Sequence, residues 1–200
     1  ASVRKRQQDP DVAPYLPDTI FAEPILVEFD HYGAKLYKEI ARELQADLDE
    51  AMESYGAGFD LFSHYGGDKA SSPMDGLKGK IMSKLTALRM LCDHPDLIRV
   101  SSSTSGYAEQ LQTAGRLDKV TKSPKLSALK DYVSSFLDAY SENKVVIFTS
   151  YVHMVDIIRE ALPYESSPYT GAMNAKEKEE SKTKFQTNKE VRILVSSDAG

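Results

Sequence analysis

From Ala34 to about Met52 the apolar residues Leu36, Ile40, Leu44 and Leu48 recur every four positions, with Tyr37 and Ala41 beside them and Lys, Arg, Glu and Asp filling the rest. One apolar stripe at that spacing predicts an amphipathic helix. Ile81, Leu85, Leu88 and Leu91 predict a second helix over 77–92, with Pro95 read as closing it. Between them Gly56, Gly58, Gly66, Gly67, Pro73 and Gly76 mark a loop. Ahead of the first helix, Pro10, Pro14, Pro17 and Pro24 keep the chain extended or turning, and the alternation of Ile25, Val27 and Phe29 in "AEPILVEFD" predicts a strand. The stretch 101–122 is polar and turn-rich and reads as a linker.

After residue 122 the rhythm changes. Leu126, Leu129, Val133, Phe136, Leu137 and Tyr140 fall at helical spacing, "KVVIFT" reads as a compact buried strand, and "YVHMVDIIREAL" as another helix. "SSPYTG" reads as a short strand. Asn174 is placed as an N-cap with Glu177 as its capping-box partner, opening a helix to about Phe185 before the strand "VRILV". Strand alternating with helix predicts parallel βαβ units, so the expected fold class is α/β: a parallel sheet flanked by helices, preceded by a helical insertion. The chain divides as 1–33 leading segment, 34–100 helical insertion, 101–122 linker and 123–200 α/β lobe.

Composition adds limits. With 200 residues, 41% hydrophobic and 28% charged, the chain reads as a globular protein with one good core or a domain plus an appendage. No run of 18 apolar residues occurs, and the basic start "ASVRKRQQDPDV" has no apolar segment behind it, so a membrane span and a signal peptide are not expected and a cytoplasmic setting is. The single cysteine, Cys92, excludes an internal disulfide, and His31, His64, His94 and His153 stand at no common ligand spacing, so no metal site is expected. A net charge of −5 gives no overall attraction to nucleic acid, and any such binding must come from a local face.

In parallel α/β sheets the working loops leave the carboxyl ends of the strands. Two loops qualify here: "TSY", Thr149, Ser150 and Tyr151, and "SSDAG", Ser196 to Gly200. Hydroxyls and backbone N–H groups in that position suit phosphate oxygens, and the competing reading is that they merely cap the next helices. Asp198 would repel phosphate and reads as a cap or a partner for a cation. His94, beside Pro95 at a helix end, reads as structural rather than catalytic. Arg89 reads either as the partner of an acid or as approaching nucleic acid. Lys178, Lys182 and Lys184 are interleaved with Glu177, Glu179 and Glu180, which fits a solvated helix face as well as a basic track. The "RKR" at 4–6 is a second candidate for phosphate attraction.

The order of these segments resembles one family. "KVVIFTSYVHMVDIIREAL" is similar to motif IV of superfamily-two helicases, above all the Swi/Snf-type ATPases, and "SKLTALRMLCDHPDLI" resembles the leucine-arginine helix that precedes their second lobe. "SPKLSALKDYV" resembles the helix that opens that lobe, "YTGAMNAKEKEESKTKF" motif IVa, "RILVSSDAG" the first half of motif V, and "RKRQQDPDVAPYLPDTI" the stretch leaving the first lobe. The resemblance implies the second RecA-like lobe of an ATP-dependent double-stranded-DNA translocase, cut within motif V. It implies ATP and magnesium held mainly by a first lobe, whose phosphate loop and Asp-Glu pair do not occur in these 200 residues, so the fragment alone is expected to be inactive. It also implies DNA contacts at Thr149, Ser150, Tyr151, Gly171, Lys178, Ser196 and Ser197, and nucleotide coupling through Asp198, Ala199 and Gly200. Expected partners are double-stranded DNA, the first lobe and a protein on the helical insertion; the setting becomes nuclear in a eukaryote or host cytoplasm for a virus. Three departures bear on the contacts: Pro168 near a family arginine, Lys178 where arginine is preferred, and Ser150 where glutamine often follows the hydroxyl. The rival readings are the lobe of an unwinding helicase and, favoured by the net acidity, a non-enzymatic interaction module.

Overall fold

The computed structural model describes residues 14, 19–61 and 73–197. Helix α1, His31–Tyr55, starts at Asp30, whose carboxylate accepts the Gly33 N–H at 2.8 Å. Glycine is needed at 33, because a Cβ there would lie 2.9 Å from the Phe29 ring. The helix buries Leu36, Ile40 and Leu44 and ends at Gly56, which takes φ +52 at no steric cost. A single 3-10 turn, Gly56–Gly58, follows. Helix α2, Pro73–Asp93, packs along α1 through Leu77, Ile81 and Leu88, and Lys84 of α2 is ion-paired to Asp47 of α1.

Two expectations change in this half and a third is extended. The alternation at 25–29 does not make a strand: the backbone is extended but pairs with nothing regular, Ile25 and Val27 are exposed, and only Phe29 turns inward, against Tyr37. Pro95 closes α2, which ends at Asp93, and also starts a further helix. Helix α3, Pro95–Val100, has the proline in its first turn, where its missing N–H is harmless, and His94 as N-cap. The stretch 101–122 is packed: helix α4, Ser105–Thr113, and the turn after it bury Tyr107, Ala108, Leu111, Leu117 and Val120. Arg99 fixes that turn, donating to the carbonyls of Leu117 at 2.8 Å and Val120 at 3.4 Å.

Helix α5, Pro124–Ala139, opens the α/β part with Ser123 as N-cap. It is followed by β1, Val145–Thr149; α6, Val152–Ala161; β2, Ser166–Tyr169; α7, Ala175–Thr187; and β3, Ile193–Ser197. The strands are all parallel, in the order β1-β3-β2, with Val145 and Ser166 both opposite Ile193. The fold is RecA-like α/β, a parallel sheet flanked by helices. Helix α6 packs on all three strands and α7 on β2 and β3. Pro168 sits in β2, an edge strand, the place in a sheet where a residue without an N–H is tolerated. The capping box of Asn174 and Glu177 is formed, each side chain accepting the other's backbone N–H, at 3.0 and 2.8 Å. Arg192 ties the sheet to α5 by donating to the carbonyls of Leu137, Tyr140 and Asn143. One apolar cluster runs from Leu36 through Leu111 and Val133 to Val195, joining both halves.

Candidate nucleic-acid interface

Because every strand runs the same way, the carboxyl ends of β1, β3 and β2 share one edge of the sheet, and the sequence-predicted residues collect there. Thr149 is the last residue of β1 and lies opposite Ser197, the last of β3. Ser150 is exposed and Tyr151 half-buried at the start of α6. Gly171 is exposed in the turn after β2. Lys178, one turn into α7, holds its ammonium 5.4 Å from the centre of the Tyr169 ring, at the end of β2.

The competing role of the hydroxyls as helix caps is weak at this edge. Tyr151 is the N-cap of α6 with no side-chain cap bond, and among the described residues the hydroxyl of Thr149 accepts only the Tyr151 N–H, at 3.5 Å, the limit of a hydrogen bond. The lysines of α7 also separate. Lys176, Lys182 and Lys184 pair with Glu180, Glu179 and Glu165, whereas among the described residues Lys178 has only the aromatic ring.

One placement differs from the sequence reading. Ser196 and Ser197 were expected in a loop, but β3 continues through both, and they are 5% and 3% exposed. Ser196 Oγ donates to the Ser197 carbonyl at 3.1 Å, while Ser197 Oγ has no partner. The strand runs on because residue 197 points to the same covered side as Ile193 and Val195, where a small side chain fits. Both serines thus stand behind the exposed edge and present no open hydroxyl. Asp198, Ala199 and Gly200, and the basic 4–6 stretch, lie outside the described residues.

The sequence gives no hint that the end of α2 meets this edge. Burial pushes the Tyr151 hydroxyl above the ordinary tyrosine range, with Arg89 pulling it down and Asp93 and Cys92 adding to the rise, so the end of α2 lies within electrostatic reach of it. Arg89 is exposed and makes no hydrogen bond or ion pair among the described residues, whereas Lys125 is tied to Asp93. Burial, helped by Asp93, also raises the Cys92 thiol. His94 is a cap: its Nδ1 accepts the Asp96 N–H at 3.2 Å, in keeping with a structural role. Among the described residues no group of three or more His, Cys, Asp or Glu could hold a metal ion, and no helix is long and apolar enough to cross a membrane.

Residues 124–200 match the helicase conserved C-terminal domain. No curated protein matches the chain. Among solved structures, the Hef helicase domain of Pyrococcus furiosus is similar at a TM-score of 0.61 and 15% identity, over 97% of this chain and 49% of that one. The SWI2/SNF2 ATPase core domain of Sulfolobus solfataricus is similar at 0.55 and 24%, over 98% of this chain and 33% of that one. The C-terminal part of the Fun30 ATPase domain gives 0.52 and 17%, over 85% and 66%. The chain therefore spans between a third and two thirds of the length of these structures. The likeness shows the fold, and SWI2/SNF2 ATPase domains are among the similar structures.

Proposed function

We propose that the chain is the second RecA-like lobe of an ATP-dependent double-stranded-DNA translocase of Swi/Snf type, and that its sheet edge grips the phosphate backbone. The observation that carries the reading is the gathering, at one carboxyl edge, of the exposed Ser150 and Gly171 and the half-buried Thr149 with two cations lacking acidic partners, Lys178 and Arg89. Hydroxyls and cations at such an edge complement phosphate without reading sequence, which suits a motor that must move along any duplex. ATP and magnesium would be held mainly by a first lobe, which supplies the charge neutralisation and water positioning of phosphoryl transfer. This lobe's own part would be to hold one strand of the duplex and to close on the nucleotide through the segment that follows β3. Asp198, Ala199 and Gly200 are assigned that coupling from the family resemblance alone.

The test is ATP hydrolysis by a protein carrying both lobes, with and without duplex DNA, comparing the wild type with a Thr149→Ala, Ser150→Ala double variant. Strong duplex stimulation is expected, reduced roughly tenfold or more in the variant through lost contacts to charged oxygens. Absence of hydrolysis with any nucleic acid would sink the motor and leave an interaction module. The likeness to the Hef helicase domain favours a second reading, the lobe of an unwinding helicase, and ATP-dependent separation of a duplex in the same assay would decide for it.

A further inference from the structure

The helical half holds a polar cleft that the motor reading does not use. The N-terminus of α4 opens on a cavity of about 380 Å³ between α1, α2 and α4. In any α-helix the first N–H groups have no acceptor within the helix, and they carry the positive end of its dipole. A threonine just ahead of a helix normally covers one of them with its hydroxyl. Thr104 does not. Its backbone is at φ −116, ψ 14 rather than extended, and its side chain makes no cap bond.

Thr104 lines the cavity, is 1% exposed, and its Oγ1 has no hydrogen-bond partner. A buried hydroxyl left in that state is costly, and a ligand accepting from it relieves the cost. Gly106, in the first turn of α4, also lines the cavity, and a Cβ there would meet nothing within 4 Å, so nothing crowds the approach to the backbone at that point.

The charges point the same way. The charged residues lining the cavity are Lys80, Lys84 and Asp47. Lys84 is committed to Asp47 and lies 5.5 Å over the Tyr107 ring, so this pair cancels. Lys80 is exposed and its ammonium makes no hydrogen bond or ion pair among the described residues. A net charge of +1 follows, from two lysines and one aspartate, beside a helix N-terminus and an unused hydroxyl.

We infer that this cleft binds a phosphate-sized oxyanion, held by the Lys80 ammonium, the Thr104 hydroxyl and the backbone N–H groups at the start of α4. The oxyanion has two possible sources, free phosphate and the phosphate backbone of a nucleic acid, and the site itself does not depend on the sheet edge or on any ATPase activity. The experiment is a titration of the 200-residue chain with sodium phosphate against sodium chloride at matched ionic strength, followed by the amide resonances of Gly106 and Tyr107. Saturable phosphate-specific shifts of these amides are expected. Thr104→Val keeps the side-chain shape and should fold at least as well while binding phosphate roughly tenfold more weakly; Lys80→Gln should weaken it similarly. A short duplex DNA then identifies the source: competition with phosphate assigns the backbone, and its failure to compete assigns free phosphate or a small phosphorylated molecule. Absence of phosphate-specific shifts, or shifts that survive both substitutions, overturns the site.

Discussion

The network around Glu43 in the helical half and the carboxyl edge of the sheet treat their polar groups in opposite ways. Between α1, α4 and the turn after α4, polar side chains satisfy each other: Tyr107 donates to Glu43 at 2.6 Å, and Arg116 bridges Glu43 at 2.6 Å and Glu39 at 3.2 Å. At the carboxyl edge of the sheet, Ser150 is exposed, Arg89 makes no ion pair among the described residues, and Phe148 of β1 leaves apolar surface open. A region whose groups are all answered internally is built to hold shape. A region that leaves them unanswered stays open to a partner, and the proposed phosphate contact rests on that difference.

That contrast can be broken by substitution, the largest effect coming from the shared core. Ile40 is 0% exposed, and Ile40→Ala should cost about 3 kcal/mol, read as a lowered denaturation midpoint of the whole chain in one transition. Two separated transitions would mean that the halves do not share a core. Next comes the polar network. Burial pushes the Glu43 carboxyl up, but hydrogen bonds from Tyr107 and Arg116 and the charges of Arg116 and Lys84 outweigh it and hold it below the ordinary glutamate range. A depressed folded value means stability that is full above the ordinary value of about 4.3 and is lost as pH falls through the folded value. Arg116→Ala should therefore cost about 1 kcal/mol near neutrality, limited by solvent reaching Glu43, and should flatten the loss of stability below about pH 4.3. An unchanged acid limb in the variant would remove Glu43 from the account. The smallest effect belongs to the open face: Phe148 is 73% exposed, and Phe148→Ser should change stability by less than about 0.5 kcal/mol while reducing self-association at high concentration. A large loss of stability would show the residue to be core.

Much of this was legible in the sequence where period and chemistry agree. The stripes of α1, α2 and α5, the Asn174 and Glu177 box, and the order of strands and helices after residue 122 are local patterns, and the structure keeps them. The misses have physical reasons. Helix α4 hides in a polar stretch because its burial rests on few residues, although Tyr107 and Leu111 stand four apart. At 25–29 the alternation is real, but a strand exists only where a neighbour accepts its hydrogen bonds, which no single sequence states. Thr149, Ser150 and Tyr151 follow from the strand-end rule; the electrostatic reach of Arg89 to Tyr151 joins positions far apart in the chain and leaves no local trace. Ser196 and Ser197 were misplaced because polar residues read as loop, while burial in a covered strand end tolerates small hydroxyls.

Ser123 has a consequence beyond capping. Its hydroxyl donates to the Asp93 carbonyl at the end of α2 and accepts the Leu126 N–H at the start of α5, so one side chain is bolted to the last residue of one helix and the first turn of another. Helix α2 has 21 residues, roughly 30 Å at the standard rise per residue, and it is anchored at its far end from the loop. Its other end is packed on α1 through Leu77 and Ile81, so the helix is held at both ends and works as a strut: it keeps the start of α5 at a fixed distance from the body of the helical half.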